Sequence, residues 1–183
     1  MKFIELAATA VFAVALAGGA IAARNPMVGG AAMFDSRNIV QNAANSKDHT
    51  TLVAAVKAAG LVETLEGTGP FTVFAPTNEA FNALPQGVVD GLLKPENKPE
   101  LTRVLTYHVV PGRLDSETLD RDIQAGGGQA TLKTVEGETL IVRGSGKALT
   151  VADAKGDSAR ITIPDVYQKN GVIMVIDTVL LPK

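Results

Sequence analysis

Gly69-Pro70-Phe71-Thr72-Val73-Phe74-Ala75-Pro76-Thr77-Asn78-Glu79-Ala80-Phe81 is the stretch whose reading decides the fold. Its thirteen residues hold a strand, a hard turn and a helix start. Phe71, Val73 and Ala75 alternate with Thr72 and Phe74, and this β-branched and aromatic content suits a pleated strand. Pro76 has no N–H and a fixed φ, so the strand ends there. Thr77 is placed to cap a helix with its hydroxyl, and Glu79 sits well beside the positive end of the helix dipole. Phe81 and Leu84 fall on one face of that helix. The unit therefore joins a buried strand to a buried helix face.

Working outward, the chain before this unit reads as helical. Ile39, Val40, Ala43 and Ala44 form one stripe behind a candidate cap at Asp35 or Ser36. A second helix is predicted from about Thr51 to Ala59, with Gly60 as its stop. Leu61 to Leu65 is a further helical turn. After the unit, Val88 to Leu93 is a short helix, Pro95 and Pro99 break the loop that follows, and Glu100 to Tyr107 is helical again. Val109-Val110 changes to strand, and Pro111-Gly112 turns.

Beyond Gly126-Gly127-Gly128 the period becomes two. Short strands are predicted at Ala130 to Leu132, Thr139 to Val142, Ala148 to Ala152, Arg160 to Ile163 and Val172 to Ile176. The last is apolar at every position, so both its faces are expected to be covered. Helices early and strands late give an α+β class rather than a βαβ repeat.

Residues 1–23 read as a secretory signal: Lys2 is a thin positive region, Leu6 to Leu16 an apolar run, and Ala20-Ile21-Ala22 a small-x-small cleavage pattern. Residues 24–34 are patternless and contain Gly and Pro, which predicts a mobile linker. One domain over 35–183 remains, large enough to bury a sizeable core without metal or disulfide. The chain has no Cys, which excludes a disulfide scaffold, thiolate metal sites, a cysteine nucleophile and a lipid-modified terminal cysteine. The formal charge is −2, with no basic stripe for nucleic acid. The phenylalanines after the signal sit in apolar patterns and leave little for stacking on bases or sugars.

Three boxes now carry a family resemblance. The opening stretch, Leu105-Thr106-Tyr107-His108-Val109-Val110-Pro111-Gly112, and Asn170-Gly171-Val172-Ile173-Met174-Val175-Ile176-Asp177-Thr178-Val179-Leu180-Leu181-Pro182 agree in order and spacing with those of fasciclin (FAS1) domains, which the chain resembles from Phe34 to Lys183. The resemblance implies a β-sandwich or wedge of about seven short strands flanked by helices. It implies a secreted or periplasmic, non-catalytic protein that engages a cell-surface or matrix protein or polysaccharide, with the membrane met only during export. A monomer is expected. Because some secreted fasciclin-like proteins bind carotenoids, an alternative is a small apolar ligand, carotenoid- or lipid-like. The chain departs from the family at Met174, where the second box often carries His, so any role of an imidazole there is lost.

The reactive-looking residues have plain readings. His49 lies in the polar run Lys47-Asp48-His49-Thr50 and is expected to be exposed. His108, between a helix and a strand, suits an imidazole bonded to backbone groups. The resemblance makes the Tyr-His pair a core organiser and also links the region to adhesion, so Tyr107, His108, Val109 and Val110 are the candidate interaction residues, only some of which can be exposed. No metal site, cofactor site or catalytic group is predicted. There is no G-x-S-x-G elbow and no S-x-x-K box. Gly126-Gly127-Gly128 lacks the strand and Lys-Ser/Thr of a phosphate loop. The carboxylates of Asp115-Ser116-Glu117 and Asp120-Arg121-Asp122 are a solvated helical face. Lys155-Gly156-Asp157 is a turn needing positive φ.

Overall fold

The computed structural model describes residues 25–183. The secretory-signal reading of residues 1–23 lies outside the described residues.

Nine strands and seven helices make up the described body. The strands are β1 (Met27–Val28), β2 (Ala31–Ala32), β3 (Phe71–Pro76), β4 (Val109–Pro111), β5 (Gln129–Lys133), β6 (Thr139–Ser145), β7 (Ala148–Ala152), β8 (Ser158–Gln168) and β9 (Gly171–Ile176). The helices are α1 (Ile39–Ala43), α2 (Thr50–Ala59), α3 (Val62–Glu66), α4 (Asn78–Asn82), α5 (Val88–Leu92), α6 (Lys98–Tyr107) and α7 (Ser116–Ala125).

Phe71–Pro76 is a strand, as its alternation predicts, and Thr77 caps α4 by accepting from the Ala80 N–H at 3.3 Å. Gly60 closes α2 in the left-handed region at φ 74°, where only glycine is unstrained. α1 is capped by Asn38 rather than by Asp35 or Ser36. Its side chain accepts from the Gln41 N–H at 2.8 Å, and the Gln41 side chain returns a bond to the Asn38 N–H.

The seven strands β3 to β9 form one sheet in the order β4-β3-β9-β8-β7-β6-β5, and only β3 and β9 run parallel. The sheet curls until its edges approach: the Val135 N–H, just past β5, donates to the Val109 carbonyl of β4 at 2.8 Å. The body is therefore nearer a barrel than the expected sandwich or wedge.

Curling gives the sheet two apolar sides. Inside lie Phe74, Val172, Met174 and Ile176, with Tyr107, Leu119 and the inward residues of β5 to β7. Outside, Val73, Ala75, Ile173 and Val175 face the helices α1, α2 and α6. β3 and β9 are thus buried on both faces, which is why β9 carries no polar residue. β8 changes sides through irregular pairing between Ile161 and Val166. Ile161 points into the curl, and Val166 points to the helix side.

The predicted linker is corrected over its described part. β1 and β2 pair as a hairpin, with Val28 and neighbouring Met33 buried against the helix-side core. The Gly29 carbonyl accepts from the Lys47 N–H at 3.2 Å, and a Cβ on Gly29 would lie 2.3 Å from the Ser46 hydroxyl. Only glycine fits that contact.

Candidate functional site

The Tyr107–Val110 segment leaves α6 and enters β4 through the centre of the body. Tyr107 is fully buried; its hydroxyl donates to the Thr139 carbonyl at 3.0 Å and accepts from the Ala154 N–H at 2.8 Å. Burial pushes the phenol up to about 12.

His108 is buried and bonded at both ring nitrogens. Nδ1 lies 2.8 Å from the Val104 carbonyl, and Nε2 lies 3.0 Å from the Leu180 N–H. A carbonyl can only accept and an amide N–H can only donate, so the ring is neutral with its proton on Nδ1. Burial holds its pKa down at about 4. Val109 packs on the helix side and Val110 inside the curl. All four residues singled out in the sequence as contact candidates are therefore internal, and their expected part as a surface is corrected. The structural reading of His108 matches its geometry.

His49 is corrected as well, being buried rather than exposed. Its Nδ1 meets the Ser46 hydroxyl at 2.9 Å, while Nε2 has no hydrogen-bond partner among the described residues. Burial lowers its pKa from the ordinary value. Met174 fills the interior of the curl. Asp153 shapes the Lys155-Gly156-Asp157 turn: its Oδ1 accepts from the Lys155 and Asp157 N–H groups at 2.9 and 3.0 Å, and Gly156 takes φ 97°. Among the described residues no three His, Asp or Glu side chains gather where a metal ion could be held.

Two kinds of space remain. Between α1, α2, α3, α6 and the sheet lies an apolar cavity of about 30 Å³, lined by Ile39, Val56, Leu65, Val73 and Leu105 among others. At the hairpin end of β8 a polar crevice of about 620 Å³ opens between Asn25, Asp35, Arg113, Asp165, Tyr167 and Lys169. On the other side of Lys169 lies a second crevice of about 480 Å³, walled by Asn38, Gln41, Glu66 and Thr68. A backbone bond from the Lys169 N–H to the Arg37 carbonyl, 2.8 Å, separates the two.

The crevice walls are held firmly. Arg113 Nη2 donates to the Gln168 carbonyl at 3.0 Å, and Asp165 accepts from the Ser116 N–H at 2.7 Å and its hydroxyl at 2.5 Å. Asp165 takes φ 58°, the one non-glycine residue with positive φ among those described. Behind the wall the Asn42 amide donates to the Gln168 side-chain oxygen and to the Phe34 carbonyl.

Reading the sequence missed this region because its residues come from four separate stretches. The one signal available was Tyr167, an aromatic in the polar end Asp165-Val166-Tyr167-Gln168-Lys169.

A curled sheet sheathed by helices, with the Tyr-His segment inside it, defines a class of domain. The Fasciclin domain family model matches residues 47–182. The chain is 44% identical to Protein sll1483 of Synechocystis sp. over 87% of its own length and 81% of that protein's. It is 35% identical to the cell surface glycolipoprotein MPB83 of Mycobacterium bovis, over 88% of this chain and 68% of that one. A FAS1 domain pair from the insect cell adhesion molecule Fasciclin I superposes with a TM-score of 0.70 at 18% identity, covering 79% of this chain and 51% of that one. The protein belongs to the fasciclin-domain family.

Proposed function

We propose that this protein acts outside the cytoplasm, after export, as a non-catalytic contact module that attaches to a cell-surface or matrix partner. The observation that carries this reading is the burial of Tyr107 and His108, the pair that the sequence singled out. Tyr107 and His108 spend their polar atoms on the backbone, so they set the shape of the body and leave no reactive group to a substrate. Tyr107, His108, Val109 and Val110 support the contact face from beneath. A relative at the cell surface and a structural neighbour from an adhesion molecule are consistent with this role. No helix among the described residues is long and apolar enough to cross a membrane. Capture on intact cells tests the reading: full chain applied to the producing cells is retained and is displaced by excess unlabelled protein. Failure of retention at micromolar protein would end it.

The alternative of a carotenoid- or lipid-like ligand has one observation in its favour, the apolar lining of the cavity between α1, α2 and the sheet. At about 30 Å³ that cavity has room for roughly one water-sized group, so such a ligand requires α1 and α2 to part. The absorption spectrum and native mass of purified protein decide it. A co-purifying pigment or lipid would support this reading.

A further inference from the structure

The described residues include six aromatic side chains, and only Phe34 and Tyr167 are exposed, at 37% and 41%. Of the two, Tyr167 forms part of the wall of the polar crevice. The Arg37 guanidinium rests over the Phe34 ring, 4.7 Å from its centre. The Tyr167 hydroxyl is tied to Asp115 at 3.2 Å, which fixes the ring.

We infer that this crevice binds a segment of a neutral polysaccharide. The inference rests on the contact reading above and gives it a site and a partner class. Three features select that chemistry. The Tyr167 ring, held open to solvent in the crevice wall, can stack against the C–H face of a sugar ring, as aromatic rings do against any flat apolar face with a polar edge. The ionic side chains of the crevice are of both signs, Arg113 and Lys169 against Asp35 and Asp165, so no net field favours an anionic or cationic polymer. The Ser36 and Thr68 hydroxyls of the adjoining crevice donate and accept alike, which suits hydroxyl groups that do the same.

Affinity gel electrophoresis of the full chain through soluble glucan, mannan and xylan, with alginate as an acidic comparison, tests the inference. Retardation by at least one neutral polymer is expected. Tyr167→Ala weakens it by up to about tenfold, the loss of one aromatic stacking contact. Tyr167→Phe keeps the ring and stays within about twofold of the parent. Melting curves confirm that the variants remain folded. Three outcomes overturn the inference: no retardation by any neutral polymer, equal retardation of the parent and Tyr167→Ala, or binding to alginate alone that salt abolishes. Cell retention measured in parallel separates the two readings. Retention without polymer binding removes the polysaccharide and leaves the contact role; polymer binding without retention does the reverse.

Discussion

The Nε2 of His108 accepts a hydrogen bond from the Leu180 N–H at 3.0 Å, pinning the last segment of the chain to a helix end 72 residues earlier. The Val104 carbonyl accepts a hydrogen bond from Nδ1–H at 2.8 Å, so one imidazole closes two buried backbone groups. Replacing His108 by Ala leaves both unpaired and opens a void. The expected cost is about 3 kcal/mol, from an unmet donor, an unmet acceptor and lost packing. For a chain of this size the melting temperature then falls by roughly 6–12 °C. An unchanged melting temperature in His108→Ala would refute the pinning role.

Acid acts on the same residue. The folded pKa is depressed to about 4, and the unfolded imidazole titrates near 6.5. Between these values the unfolded state binds the extra proton, so stability is full above about pH 6.5 and is lost as pH falls toward 4. The loss amounts to about 3 kcal/mol and levels off once both states are protonated. His49, also lowered by burial, adds to the loss in the same direction. Urea midpoints measured from pH 7.5 to 4 should decline in the parent and decline less in His108→Gln. Parallel slopes in the two proteins would assign the acid sensitivity elsewhere.

Asn170 is a second three-way tie. Its Oδ1 accepts from the Ile39 N–H at 3.1 Å, and its Nδ2 donates to the carbonyls of Leu65 and Gly67 at 2.7 and 2.9 Å. α1, α3 and the start of β9 meet on this one side chain. Asn170→Ala is expected to lose about 2–4 kcal/mol, and Asn170→Asp at least as much, since it sets a buried carboxylate oxygen against the Leu65 and Gly67 carbonyls. Thermal denaturation followed by circular dichroism reads the difference. Equal stability of parent and Asn170→Ala would show that water replaces the amide.

Gly171 opens β9 opposite Phe71 of β3. A Cβ there would stand 2.0 Å from the Phe71 carbonyl oxygen, a backbone atom that cannot step aside without breaking the parallel pairing. Gly171→Ala should therefore destabilise by more than about 3 kcal/mol or prevent soluble folding. Recovery of a folded protein with the parent's melting temperature would contradict this geometry.

How far the sequence reveals this molecule depends on how local each feature is. The strand at Phe71–Pro76, its Thr77 cap, the Gly60 stop and the late strands are written in neighbouring residues, and they were legible. The family resemblance followed from the same boxes. Val28 and Met33 were not legible as core, because the hairpin that buries them is secured by Lys47 and Ser46. The polar neighbours of His49 suggest exposure, yet its burial is decided by β3 and the hairpin packing over it. His108 was legible as a backbone-bonded imidazole from its place between helix and strand, and the family resemblance named the Tyr-His pair as organiser, but their depth was not legible, since it is set by Thr139, Ala154 and Leu180. The crevice escaped because Asn25, Asp35, Arg113 and Tyr167 share no stretch of chain.

The bond between Val135 and Val109 has a consequence for how such a protein lives at high concentration. An open sheet ends in a row of vacant backbone groups, a template onto which a second molecule can zip. Here the two outermost strands turn toward each other, which leaves little of that template for self-recruitment into fibrils. Neighbours are met through side chains and loops, so crowded copies can coexist without merging their backbones.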